Sequence, residues 1–463
     1  MTRGPVLVPA DAITRHTGAP PILSDATLPS VHGARTPGYD RAGTTPAIVH
    51  LGLGAFARAH VAVYCDDLLA GGVGEAGLHG ISLRSPAIRD ALQPQDGLYT
   101  LIEDEGTTRT DLRVIGSVCR VDVGEAAAVA AIADQRTRAV TMTITEKGYT
   151  PSGAAARTLV AGLGQRRQHG LPPPVVVSCD NLPSNGAGAR TMVVGRAGET
   201  DAGLAAWIGA EVAFPSTMVD RIVPATTDED RELVHQALGL ADAWPVHAEP
   251  YVEWVVERVP GLPPWDSVGA RFVESVEPWE TRKLRLLNGP HSALAYLGLL
   301  AGIDTIAEAI ADPALAGFVE ALADDEIVPT LPPVDGDPTA YAATVRQRFA
   351  NPTLGHRTAQ VAEDGSHKLP QRILGTLRER TAQGAGVDRL ALVVAGWMRH
   401  VERCARGHAP LVDPLATELT DRVRSAESGA DALADALLAV TQIFDPVDRA
   451  DPAVRDPICL LYT

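Results

Sequence analysis

An ammonium, a carboxamide and an imidazole stand close together in the segment KLRLLNGPH. At about 100° per residue of an α-helix, Lys283, Asn288 and His291 lie within an arc of roughly 140°, and Glu280 falls inside the same arc. Mixed faces of this kind are common on solvated helices, but the strongly apolar flanks favour burial and hence a site. Pro290 removes one helical hydrogen bond, and we expect a kink between the asparagine and the histidine.

This set of groups suits the chemistry of a secondary alcohol. Oxidising the alcohol needs a base for the hydroxyl proton, and reducing the ketone needs the same group as an acid. A lysine whose pKa is lowered by loss of solvation can serve both directions, while amide donors stabilise the developing oxyanion. The residues therefore predict reversible conversion of an alcohol to a ketone, which requires a hydride carrier.

A glycine-rich turn supplies a candidate for binding that carrier. Gly52-Leu-Gly54-Ala55-Phe56-Ala57 follows a short apolar run and opens an apolar-periodic stretch. Small residues allow a tight turn and close approach to a pyrophosphate, and helix N-terminal amides stabilise its charge. We predict that Gly52, Gly54, Ala55 and Phe56 bind a nicotinamide dinucleotide; a purely structural turn is the alternative.

The residues that follow the next strand do not decide between NAD and NADP. Where an NAD enzyme commonly carries Asp or Glu for the ribose diol, this chain has Arg84-Ser85-Pro86. Arg84 would either meet the 2′-phosphate of NADP or be an exposed arginine that contacts nothing. We expect NAD, with NADP possible.

The surrounding pattern predicts an α/β fold. Apolar runs alternate with helix-compatible segments, which is typical of a mostly parallel, Rossmann-like sheet covered by helices, and a hairpin is expected around the polar turn 104–110. From about residue 280 the periodicity becomes mainly helical. We predict an NAD(P)-binding domain over residues 1–274, including an extended arm over 1–45, and a mainly α-helical substrate and catalytic domain over 275–463. The predicted strands are 47–51, 79–83, 98–103, 112–118, 139–144 and 175–178, and the predicted helices are 56–69, 280–301, 339–349, 387–404 and 430–443.

Composition excludes several other classes of protein. The 463 residues carry a formal charge of −17, which disfavours binding to nucleic acid or anionic lipid. The apolar stretches are shorter than the roughly 18 residues that a membrane-spanning helix needs. The N-terminus lacks the apolar core of a secretion signal, so we expect a cytoplasmic protein.

Five scattered cysteines without a CxxC pair argue against a zinc site, and we expect no metal. Nothing indicates the oligomeric state, and a monomer is plausible.

Six segments together resemble the mannitol dehydrogenase family, the polyol-specific long-chain dehydrogenases that include the fructuronate reductases. The resemblance runs from about residue 47 to about 445. It rests on IVHLGLGAFARAH (48–60), QDGLYTL (95–101), TITEKGYT (143–150), SCDNLPSNG (178–186), FPSTMVDRIVPAT (214–226) and KLRLLNGPHSALAYLG (283–298).

The resemblance implies roles for individual residues. Lys283 would be the general acid/base, with Glu280 beside it on the proton path. Asn288 and Asn181 would stabilise the oxyanion. The remaining implied residues bind substrate, with His291 and Asp220 orienting hydroxyl groups and Lys368 adding a further contact.

Substrate choice depends on the segment 356–372, which resembles the fructuronate reductase branch. Gln360 stands where mannitol dehydrogenases tend to carry Arg, and Pro290 stands where the family has Ser. A hexuronate carboxylate needs a fixed cation, which Arg372, Lys368 and Arg357 could supply, unless these arginines merely bridge surface loops. We expect D-mannonate and D-fructuronate as the substrate pair. The alternatives are mannitol with fructose, arabinitol with xylulose, and a nucleotide sensor without catalysis.

Overall fold

A five-stranded parallel sheet lies at the centre of the first part of the chain. The computed structural model describes residues 20–106 and 110–462 and divides into two compact units, of which one ends at Glu277 and the other begins at Pro278. The strands in the described residues are β1 (Ile48–Leu51), β2 (Leu78–Ser82), β3 (Tyr99–Asp104), β4 (Thr110–Ile115), β5 (Val118–Val123), β6 (Ala139–Met142), β7 (Val175–Ser178), β8 (Thr217–Asp220), β9 (Val246–Ala248), β10 (Glu253–Glu257) and β11 (Arg271–Val273).

The strand order of the parallel sheet is β5-β2-β1-β6-β7. β1 is central, with Ile48 paired to Leu78 on one side and to Ala139 on the other. All four residues of β1, β6 and β7 are buried, as expected for strands covered by helices on both faces. Four of the five strands agree with the sequence prediction to within two residues at each end, which confirms the α/β class; β5 was not predicted.

Helices of the first unit cover the two faces of this sheet. An apolar core lies on each face of the sheet, and alternate residues of β1 point to opposite faces. Ile48 packs into one core, while Val49 and Leu51 pack into the other. The predicted helix 56–69 is in fact two helices, since the backbone breaks at His60 (φ −126°, ψ −87°). The helices are α1 (Ala55–Ala59), α2 (Val61–Ala70), α3 (Ala87–Leu92), α4 (Glu125–Ala133), α5 (Ala154–Gln168), α6 (Asn185–Gly198), α7 (Ala202–Glu211) and α8 (Asp228–Leu238).

Two smaller sheets complete the first unit. The predicted hairpin is confirmed as β3 and β4, paired from Tyr99↔Ile115 to Asp104↔Thr110, with residues 107–109 outside the described part. It belongs to a separate sheet with β9, while β8, β10 and β11 form a third sheet that was not predicted. Of the expected arm, residues 1–19 lie outside the described residues. The rest of the arm is anchored: Leu23 is fully buried, and Arg35 forms a bridge with Arg113.

The second unit is helical. The helix predicted over 430–443 ends earlier, at Leu438, and the one predicted over 280–301 contains a wider π-helical turn. Two further π turns lie at Leu322–Ile327 and Pro370–Leu374. The helices are α9 (Glu277–Lys283), α10 (Gly289–Ala301), α11 (Ile306–Ala311), α12 (Pro313–Ala321), α13 (Pro338–Phe349), α14 (Thr358–Val361), α15 (Gly365–Leu369), α16 (Gly375–Ala382), α17 (Asp388–Ala405), α18 (Ala416–Ser425), α19 (Ala430–Leu438), α20 (Pro446–Ala450) and α21 (Pro452–Tyr462).

Two kinds of feature are absent from residues 20–106 and 110–462. No helix there combines the length and apolar character needed to cross a membrane. No group of three or more His, Cys, Asp or Glu side chains there is arranged to hold a metal ion.

Candidate active site

The glycine-rich turn joins β1 to α1 in the first unit. Gly52 has φ +93°, and a Cβ atom at this position would lie 2.1 Å from the carbonyl oxygen of Thr143, so only glycine fits. Gly54 is the N-cap of α1, and no side chain caps this helix end. The first amides of α1, at Ala55 and Phe56, are therefore available to an anion, which fits a dinucleotide phosphate.

His50 and Thr143 hold this turn against the neighbouring strand. The two ring nitrogens of His50 lie 2.8 Å from Thr141 Oγ1 and 3.0 Å from Thr143 Oγ1, and Thr143 donates a 2.7 Å hydrogen bond to the Gly52 carbonyl. Burial lowers the pKa of His50 to about 4, so the ring is neutral at physiological pH. The turn is thus fixed by neutral hydrogen bonds between β1 and β6.

The other candidate residues of the first unit lie at the ends of strands. Asp220 is the last residue of β8 and is buried, whereas Asn181 follows β7 and is exposed. Arg84 is exposed two residues after β2. The roles of these three residues remain predictions.

The predicted catalytic lysine ends α9 in the second unit, and a π turn follows it. Lys283 and Asn288 have only 8% and 5% of their surfaces exposed. The N–H of Gly289 bonds to the carbonyl of Leu284, five residues back, which gives the wider turn. The π turn ends at Asn288, and Pro290 lies in the first turn of α10, a position that tolerates a residue without an N–H. The arc calculated for a regular α-helix was therefore wrong across this segment.

A second π turn packs beside the first and carries a predicted substrate residue. Arg372 lies in the turn Pro370–Leu374, and its carbonyl oxygen would be 3.2 Å from a Cβ placed on Gly289. The Arg372 guanidinium donates to Ser292 Oγ at 3.1 Å. Gly289 therefore permits the backbone carrying Arg372 to approach the helix that follows Lys283.

His291 is the centre of a cluster of cationic side chains in the second unit. Its ring stacks on Phe349 with centroids 5.0 Å apart and lies 5.6 Å from the ring of His356. Burial lowers the pKa of His291 well below its usual value, and the nearby His356, Arg372, Lys368 and Arg348 lower it further. Its Nε2 atom is buried and has no hydrogen-bond partner among the described residues. A neutral imidazole with a free nitrogen is suited to a ligand hydroxyl.

Two of the three cations that the sequence predicted for substrate binding, Lys368 and Arg372, belong to this cluster. Burial, and then the charge of Arg372, lowers the pKa of Lys368, whose ammonium donates to the Val361 carbonyl at 3.2 Å. The third predicted cation, Arg357, is exposed and its backbone pairs with Thr305.

The cluster at His291 contains two further side chains, Arg348 and His356. Arg348, which is 6% exposed and lies at the end of α13, and His356 were not singled out from the sequence. The dipeptide Arg348-Phe349 gives no local signal, because its proximity to His291 depends on how α13 packs. Glu280 is half-buried three residues before Lys283.

The comparisons with known proteins agree with this division into two parts. The mannitol dehydrogenase Rossmann domain matches residues 46–267, and the mannitol dehydrogenase C-terminal domain matches residues 275–456. The chain belongs to the mannitol dehydrogenase family. The predictions of this family and of a dehydrogenase acting on CH–OH groups are therefore confirmed.

Individual members of the mannitol dehydrogenase family resemble the chain over nearly its whole length. D-mannonate oxidoreductase of Escherichia coli is 40% identical over 91% of this chain and 93% of its own. Mannitol 2-dehydrogenase of Cereibacter sphaeroides is 38% identical over 90% of this chain and 93% of its own. The solved ternary complex of Pseudomonas fluorescens mannitol 2-dehydrogenase with NAD and D-mannitol is 35% identical, covers 95% and 96% of the two chains, and superposes with a TM-score of 0.82. These relatives differ in substrate at nearly equal identity.

Proposed function

We propose that this protein transfers a hydride between NAD and a secondary alcohol or ketone of an open-chain sugar acid, with D-mannonate and D-fructuronate as the substrate pair. The cationic cluster around His291 carries this proposal. A hexuronate has a carboxylate at one end of its polyol chain, whereas mannitol and arabinitol are uncharged.

The composition of the cluster favours an anionic ligand. Arg348, Lys368 and Arg372 all act on the same neutral imidazole, and three basic side chains in a partly buried place attract an anionic ligand. Guanidinium groups bind carboxylates in a bidentate manner. Asp364, Glu363 and Asp413 offset part of the charge on Lys368, and a substrate carboxylate would be a further partner for the basic side chains of this cluster.

The remaining residues take the roles that family membership suggests. Lys283 exchanges the proton of the reacting hydroxyl, with Glu280 beside it, and Asn288 and Asn181 stabilise the oxyanion. His291 and Asp220 orient substrate hydroxyls. The Gly52 turn and the uncapped N-terminus of α1 bind the dinucleotide, and bound NAD supplies the hydride acceptor. Use of NADP stays open because Arg84 is exposed beyond β2.

The test compares substrates and one pair of variants. Purified protein is given NADH or NADPH with D-fructuronate, D-fructose or D-xylulose, and absorbance of the reduced nicotinamide is followed. We expect fructuronate to have the highest kcat/KM. Arg372→Leu should lower kcat/KM for fructuronate about 100-fold, the usual cost of removing a buried charge partner, and affect fructose much less. Arg357→Leu, which removes an exposed arginine of the same region, is the matched control.

Three outcomes contradict the proposal in different ways. A preference for fructose or xylulose would favour the polyol alternative, which the names of two relatives support. Equal losses for fructuronate and fructose in Arg372→Leu would remove the carboxylate argument. Binding of NADH without turnover of any substrate would favour a nucleotide sensor.

A further inference from the structure

Asp180 connects two loops at the carboxyl edge of the parallel sheet. It lies two residues beyond β7, immediately before Asn181, and is 8% exposed. Its carboxylate accepts hydrogen bonds from the amides of Ile144 (3.0 Å) and Thr145 (2.8 Å), which follow β6, and from the hydroxyl of Tyr149 (2.8 Å). One side chain thereby fixes the loop after β6 to the loop after β7.

The loop that Asp180 holds is strained. Thr145 has φ +63°, a left-handed conformation that is costly for a β-branched residue. Its amide is one of the three donors to Asp180, so the hydrogen bond compensates for the strain. The same loop begins with Thr143, which bonds to the Gly52 carbonyl. The ends of β1, β6 and β7 are therefore linked where ligands bind in open α/β sheets.

The backbone of Asp180 is fixed as firmly as its side chain. Its carbonyl accepts bonds from the amide of Leu182 and from the side-chain amide of Asn185, both at 2.9 Å. Asn185 in turn accepts a 2.8 Å bond from the amide of Thr217 in β8. Asn181 thus lies between Asp180, whose side chain is tied to the loop after β6, and Leu182, whose amide bonds back to the Asp180 carbonyl.

We propose that Asp180 is the positioning residue for Asn181, holding its carboxamide in the orientation that stabilises the substrate oxyanion. This inference rests on the proposed function. Asp180 itself contacts loop backbone and Tyr149, so it acts through its neighbour and not on the substrate.

The decisive variant is Asp180→Asn. An amide has the same shape but only one acceptor oxygen, so its NH₂ group must face either the Thr145 amide or the Ile144 and Tyr149 donors. A displacement of about 1 Å at a reacting centre can cost about 100-fold in rate. We expect kcat to fall between about 10-fold and 100-fold, and the deuterium isotope effect on kcat with NADH labelled at the transferred position to increase. A mere loss of folded enzyme would lower the rate and leave the isotope effect unchanged.

Asp242 offers a matched control in the same unit. It is 4% exposed, and its carboxylate accepts bonds from Gln95 Nε2 (3.1 Å) and the Trp244 amide (3.0 Å), away from the parallel sheet's loops. Asp242→Asn should therefore destabilise the protein to a similar extent and leave both kcat per folded enzyme and the isotope effect as in the wild type.

A double variant tests whether the effect passes through Asn181. If it does, Asp180→Asn combined with Asn181→Ala will be no slower than Asn181→Ala alone, because the group being positioned is already absent. Additive losses, or an unchanged isotope effect in Asp180→Asn, would overturn the inference while the wild type remained active. A wild type without turnover on any substrate would instead refute the proposed function itself.

Discussion

Lys283, the proposed general acid/base, combines burial with an unusual helix geometry. It is 8% exposed at the end of α9, and a π turn follows it directly. π turns often occur at functional sites because they change the direction of side chains without ending the helix. Here the turn begins directly after the lysine and ends at Asn288, and these two residues are proposed to act on the same substrate oxygen.

Two substitutions of Lys283 distinguish its proposed role in proton transfer from the effect of its positive charge. Lys283→Met should lower kcat by about 1,000-fold or more, within the range known for removal of a general acid or base, while the Kd for NADH changes little. Lys283→Arg keeps the positive charge but cannot release a proton near neutral pH, so it should be nearly as slow. Steady-state rates and NADH fluorescence titrations provide both measurements. Substantial activity in either variant would exclude Lys283 as the acid/base.

At the scale of elements, the sequence predicted the buried strands of the parallel sheet and the hairpin, but missed several strands that are short or of mixed composition. β1, β6 and β7 are fully buried and mainly apolar, with one polar residue each: His50, Thr141 and Ser178. β5, with the sequence VCRVDV, and β10, with EWVVE, mix charged and apolar residues, and β9 and β11 have three residues each. Such strands depend on pairing with distant segments, which a local pattern does not contain.

The helices of the second unit were predictable in position but not in detail. Apolar periodicity placed the helices around 280–301 and 387–404 correctly. The π turn at Leu284–Asn288 required more than periodicity, because it depends on the wide hydrogen bond before Pro290 and on Gly289 admitting the carbonyl of Arg372. Likewise, Arg348 joins the cluster at His291 through the packing of α13, whereas Arg357, nearer in sequence to Lys368, is exposed.

His50 links β1 to β6 in the central sheet, and its ionisation should make the stability of the protein depend on pH. Its folded pKa of about 4 lies below the usual 6.5, so the unfolded chain binds a proton first as the pH falls. The contribution to stability is complete above pH 6.5 and is lost progressively between pH 6.5 and 4. The loss amounts to about 3 kcal/mol of the free energy of unfolding, at about 1.4 kcal/mol per pKa unit.

A His50→Asn variant should therefore be less stable at pH 7 but flatter in its response to acid. Chemical unfolding at pH 7, 5.5 and 4, followed by tryptophan fluorescence, gives the free energy at each pH. His169→Asn, at an exposed position at the end of α5, should retain the wild-type pH dependence. If the curves for His50→Asn and the wild type were parallel, His50 would not be the titrating group.

At the scale of the whole molecule, the net charge of the protein has the same sign as the charge of its proposed substrate, so the two repel. The chain carries a formal charge of −17, whereas the cluster at His291 contains three basic side chains. The field of the whole protein acts over distances comparable to the Debye length and is screened by salt. The cluster acts at contact in a partly buried place, where screening is much weaker. Salt should therefore weaken the repulsion more than the attraction.

This difference predicts an unusual response to ionic strength. Between about 10 and 200 mM salt, kcat/KM for D-fructuronate should rise about two- to threefold as long-range repulsion is screened. The value for uncharged D-fructose, measured in the same buffers, should stay constant and serves as the control for effects on the enzyme itself. Arg372→Leu should keep the rise for fructuronate at a lower absolute rate, because the net charge hardly changes. A fall in kcat/KM for fructuronate would mean instead that the cations attract substrate through solvent, which would contradict the proposed action of the cluster at contact.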